Sequence, residues 1–69
     1  MNKSVARVIE ISAVSDVSFE DAVRTGVTRA NRTLRNVTSA WVKEQRVSLE
    51  GGKVKHYQVN LQITFVLEG

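Results

Sequence analysis

Lys53–Glu68 reads K-V-K-H-Y-Q-V-N-L-Q-I-T-F-V-L-E, and its alternation decides the fold. Tyr57, Val59, Leu61, Ile63, Phe65 and Leu67 are apolar; His56, Gln58, Asn60, Gln62 and Thr64 between them are polar. A period of two is that of a strand with one buried and one wet face. The chain contains no proline, so no strand position is barred from the hydrogen-bond ladder. Strands typically run about 5–6 residues, and this one is predicted to be more than twice as long.

Working back from it, Gly51-Gly52 is a hairpin-turn pair. It joins the long strand to a preceding one predicted over Ser39–Glu50. Val42 is expected to face the core, but Val47 and Leu49 have the opposite parity, so a β-bulge or bend is predicted between Lys43 and Arg46. Upstream, Ser18 is placed to cap a helix, with Asp21 three residues on in the capping-box position. Phe19, Ala22, Val23, Val27, Ala30, Leu34 and Val37 recur every three or four residues, which predicts an amphipathic helix to about Arg35. Gly26 lies on its apolar side, where a missing side chain suits close approach to a sheet. Val5–Val14 is rich in β-branched residues and reads as a first strand, with Ile9 and Ile11 on one face and Val8 and Glu10 on the other.

The fold class is thus α+β: β-α-β-β, a three-stranded antiparallel sheet wrapped around one amphipathic helix, with 1–69 forming a single domain. A helix of about 17 residues covers roughly 26 Å, whereas the last strand extends roughly 45 Å. Its remaining apolar face must bend around the helix or be covered by another subunit. At 69 residues without cysteine, disulfides are absent, so self-association is the expected source of extra stability. The lack of cysteine fits a reducing cytoplasm. The N-terminus does not read as a signal peptide, and no stretch approaches a membrane span.

A net charge of +3 permits phosphate-bearing partners without specifying one. Arg24, Arg29, Arg32 and Arg35 fall mainly on the solvent side of the helix. Without basic–aromatic interleaving they read as a solvated face, and nucleic acid is not expected as a partner. No nucleophile–base pair or acid dyad is visible, which argues against an enzyme. Glu44, Glu50 and Glu68 lack calcium-loop spacing; an ion shared at an assembly axis is an alternative.

Arg7-Val8-Ile9-Glu10-Ile11, Ser18 through Ala22-Val23, Ala30, Thr33-Leu34-Arg35-Asn36-Val37 and His56-Tyr57-Gln58-Val59, with Phe65 and Leu67-Glu68, together resemble the dodecin family. The resemblance covers nearly the whole chain. It implies a hollow homododecamer that stores or buffers flavin (riboflavin, FMN or FAD) at subunit interfaces, rather than catalysing a reaction. By that resemblance Gln58 matches a glutamine that hydrogen-bonds the flavin ring edge, and Arg46 matches an arginine common in bacterial members. The family's stacking tryptophan position falls on Ser39. The one tryptophan here is Trp41, two residues on, on the same strand face and displaced by about 6.5–7 Å. The cofactor-binding candidates are therefore Trp41, Gln58, Arg46 and Ser39. Trp41 reads equally as a flavin platform or as an anchor filling a gap between subunits. A dodecin-fold shell without a flavin site, holding ions or other small molecules, is the alternative function.

Overall fold

The computed structural model describes residues 3–67. Glu68, named above in the strand, in the family resemblance and in the acidic trio, lies outside the described residues. Strand β1 (Ala6–Ser15) is followed by helix α1 (Phe19–Thr33) and then by strands β2 (Val37–Glu50) and β3 (Lys53–Val66). All pairing is antiparallel, in the order β1-β3-β2. The strand with the cleanest alternation is therefore the central one. Val59, Leu61 and Ile63 have no solvent exposure at all.

These residues face the helix. Ala13, Ile11 and Ile9 of β1 stand beside them in register, opposite Val59, Leu61 and Ile63. The helix answers with its smallest residues, Ala22, Gly26 and Ala30, one turn apart and all buried. At Gly26 a Cβ would lie 2.7 Å from Leu61 Cδ1 and 3.2 Å from Ala13 Cβ. The backbone thus rests directly on the sheet, the close approach expected from sequence. Larger side chains close the ends: the Phe19 and Tyr57 rings meet edge to face at a centroid distance of 5.1 Å.

The helix begins where the sequence placed it. Ser18 Oγ accepts the Asp21 backbone N–H at 3.0 Å. Ser15, buried at the end of β1, donates its hydroxyl to Asp21 Oδ2 at 2.7 Å and accepts the Val17 N–H at 2.9 Å. One carboxylate is thereby tied to strand and helix together. The helix ends at Thr33, two residues earlier than expected. Leu34 turns extended, with its N–H still bonded to Ala30 O, and Asn36 adopts a left-handed φ of 60°. Asparagine tolerates that region better than most residues. The early exit lets β2 start at Val37 rather than Ser39.

β2 carries the bulge, centred on Lys43: Val42 pairs with Leu61 and Glu44 with Asn60. It lies at the near edge of the predicted Lys43–Arg46 interval and brings Val42 and Val47 onto the same, helix-facing side. A second irregularity between Val37 and Ser39, and a third between Ser48 and Leu49, were not anticipated. Gly51 and Gly52, at φ 60° and 79°, form the hairpin turn. Positive φ at both central positions matches the right-handed twist of the flanking strands.

The molecule measures 54 × 19 × 15 Å with a radius of gyration of 14.4 Å. A compact chain of this length would have a radius of about 11 Å. The excess is the β2–β3 hairpin, which runs past the helix as an arm. Val47, Leu49 and Val54 near its tip are exposed, the last two at 63% and 47%.

Candidate ligand-binding face

The face of the sheet turned away from the helix holds all four residues singled out from sequence. The antiparallel register arranges it in rows across β1, β3 and β2: Val8–Thr64–Ser39, Glu10–Gln62–Trp41, Ser12–Asn60–Glu44 and Val14–Gln58–Arg46. Ser39 and Trp41 do share a face, as their spacing implied. The pair brought side by side is Arg46 and Gln58. Trp41 lies opposite Gln62, four residues along β3 from Gln58, or about 13 Å. Ser39 is one row further, about 20 Å from Gln58. Within one chain, neither the indole nor Ser39 stands across from the Gln58 amide.

Polar contacts knit the rows together. Gln58 Nε2 donates to Ser12 Oγ at 3.0 Å, and Asn60 Nδ2 donates to Glu44 Oε1 at 3.2 Å. Asn60 Oδ1 is buried with no hydrogen-bond partner. A buried acceptor left unmade costs about 1–3 kcal/mol, so this atom marks a place suited to a donor from outside the chain. Lys43, the bulged residue, crosses β3 to reach Glu10 Oε1 at 3.3 Å. Both side chains are nearly half exposed, so the pair itself contributes little to stability, about 0–1 kcal/mol. Its position matters more, because it runs from the bulge beside Trp41 to Glu10 in the same row as the indole. Trp41 is 66% exposed, and Val8 and Val14 on the same face are each at least half exposed. Arg46 makes no ion pair among the described residues.

Lys43, Ser12 and Asn60 were not singled out from sequence. Asn60 carried a signal in its even parity beside Gln58, and Glu10 in its parity opposite to Ile9 and Ile11. Nothing local marked Lys43, whose direction depends on the bulge. The two described members of the acidic trio are engaged separately: Glu44 bonds Asn60, while Glu50 pairs with Lys55 at 2.7 Å. Among the described residues no three histidine, aspartate or glutamate side chains gather as metal ligands would. Among the described residues no helix is long and apolar enough to cross a membrane.

Comparison with known proteins is decisive at this point. The family model described as Dodecin matches residues 5–68. This chain belongs to the dodecin family. It is 36% identical to the Thermus thermophilus dodecin over 64 residues, covering 93% of each chain. It superposes on the Streptomyces coelicolor dodecin with a TM-score of 0.92 and 39% identity, covering 100% of this chain and 99% of that one. A calcium-chelating dodecin from Mycobacterium tuberculosis, described with a calcium-binding site, matches with a TM-score of 0.81 and 32% identity, covering 94% and 93%. As a member of this family the chain is not an enzyme.

Proposed function

We propose that the chain is a cytoplasmic flavin-storage dodecin whose 69 residues act as one domain. Its protomers assemble into a hollow dodecamer and hold riboflavin, FMN or FAD between subunits through the sheet face turned away from the helix. The observation that carries this reading is the layout of that face. An indole 66% exposed, two half-exposed valines and an unpartnered buried Asn60 oxygen share a surface that a solitary protomer would leave wet. Indole faces stack well on flat aromatic rings. The Gln58 amide supplies both a donor and an acceptor for a ring edge, and Arg46 beside it suits a phosphate tail.

The separation of about 13 Å between Trp41 and Gln58 along β3 favours a site shared by two protomers. One supplies the stacking surface and its neighbour the amide. Ser39, at the position that the family resemblance gives to the stacking tryptophan, would leave space beside a ring resting on Trp41. Riboflavin or FMN titrated with the assembled protein should lose fluorescence, and Trp41→Ala should abolish that quenching. Undiminished flavin fluorescence at tens of micromolar protein rejects the ligand. The shell without flavin is the second reading, favoured by Ser39 itself. It predicts a dodecamer by light scattering that stays colourless after soaking in flavin.

A further inference from the structure

The second half of the helix carries a charge pattern that neither the fold nor the flavin reading uses. Arg24 is neutralised one turn back by Glu20 at 3.0 Å. Arg29 and Arg32 have no such partner: the positions three and four residues from Arg29 are Thr25, Gly26, Arg32 and Thr33. Those around Arg32 are Thr28, Arg29, Arg35 and Asn36. No ion pair joins either arginine to a carboxylate among the described residues. Like charges at this spacing repel each other on a helix surface. The negative helix C-terminus offsets part of that.

These exposed side chains border a shallow depression, open to solvent, of about 500 Å³, lined by Arg24, Thr25, Thr28, Arg29 and Arg32. Thr25, Thr28, Arg29 and Arg32 form one contiguous patch, because residues three and four apart are surface neighbours on a helix. The two hydroxyls are not equivalent. Thr25 Oγ1 gives its proton to Asp21 O at 2.8 Å, whereas Thr28 makes no such bond and has a donor to offer. Two planar guanidinium forks and a hydroxyl donor around one hollow form a donor set that fits a tetrahedral oxyanion.

We propose that this hollow binds the phosphate group of a small phosphorylated anion, held by Arg29 and Arg32 with Thr28 donating to a third oxygen. The site is separate from the flavin-binding face, since the helix and that face lie on opposite sides of the sheet. It therefore stands or falls independently of flavin binding. Two uncompensated arginines outweigh the partial negative charge of the helix end, and the anion lies beside the helix rather than at its terminus.

Calorimetric titration of inorganic pyrophosphate into the assembled protein at low ionic strength tests it. Saturable binding is expected, weakened about tenfold or more by Arg29→Gln or by Arg32→Gln, the loss of one charge-assisted contact. Arg24→Gln, which removes an arginine already paired, should change affinity less than about threefold. These positions are exposed, so circular dichroism and light scattering should stay as in the parent. The double Arg29→Lys, Arg32→Lys variant keeps the charge but loses the forks, and should also lose most of the affinity. Parental affinity in that variant would reduce the site to diffuse attraction and overturn the proposal. So would absence of saturable binding in the parent, equal losses at Arg24 and Arg29, or tighter capture of a mixed-sequence oligonucleotide with a steep salt slope.

Discussion

Gly26→Ala is a test in which two known effects oppose each other and the packing decides the sign. Alanine is favoured over glycine inside a helix by about 1 kcal/mol, so an unencumbered site would be stabilised. Here the new methyl would meet Leu61 Cδ1 at 2.7 Å and Ala13 Cβ at 3.2 Å, with Ile11 Cδ1 at 3.7 Å. The Ala13 contact needs a shift of only a few tenths of an ångström. The Leu61 contact is shorter, and because that side chain is fully buried at the centre of the sheet its Cδ1 must shift against close-packed neighbours. Overpacking of this kind costs about 1–3 kcal/mol. The net expectation is a loss of about 1 kcal/mol despite the better helix former.

Pairing the change with Leu61→Val isolates the cause, since valine has no Cδ atom. Leu61→Val alone should cost about 1 kcal/mol for the deleted methylene. In that background Gly26→Ala should turn neutral or stabilising, a coupling of about 1–2 kcal/mol. Urea unfolding followed by circular dichroism measures each corner of the cycle. All four proteins must be held at one concentration, because self-association adds to apparent stability. A Gly26→Ala protein more stable than its parent, or a coupling indistinguishable from zero, would refute the close-contact account.

Other perturbations probe the remaining joints, alongside the Trp41 and Arg29 variants already described. Ser15→Ala removes a buried hydroxyl that serves both Asp21 and the Val17 amide; it should lower unfolding free energy by about 1–3 kcal/mol, and a smaller change in a urea melt would make the Ser18 cap the dominant anchor. Gly52→Val places a β-branched residue at φ 79°; it should cost about 1–2 kcal/mol and lower the melting temperature, with an unchanged midpoint counting against a rigid turn.

Where a residue's environment is set by its own strand or helix, the sequence announces it. The alternation of β3 requires Val59, Leu61 and Ile63 to be buried, because pairing slipped by one would expose all of them. Gly26 on an apolar helix stripe and Ser18 as a helix cap are local signals of the same kind, and both hold, whereas the Asp21 carboxylate bonds Ser15 Oγ instead of closing a capping box on the Ser18 N–H. β2 resists such reading. Its side chains change face at Thr38 and again at Lys43, so Trp41 and Val47, which share parity, point to opposite sides. One bulge was inferable from the clash between Val42 and Val47; the one at Thr38 left no apolar conflict to notice. The candidate face was legible as a set of residues on one side of the sheet. Its spacing was not, because the distance from Trp41 to Gln58 depends on which residues pair across the hairpin.

The two extra residues of β2 also bear on how such a chain can change over time. Between them Ser39 and Trp41 belong to a short window whose facing is fixed as a unit, opposite Thr64 and Gln62. A large ring can trade places between those two positions by paired substitution and remain on the same surface. A step of one position would instead drive it toward the helix, against Ile63 or Leu61. Variation along this strand is thus quantised in steps of two. An aromatic platform can drift along the face and sample new ligand poses while the core behind it stays untouched.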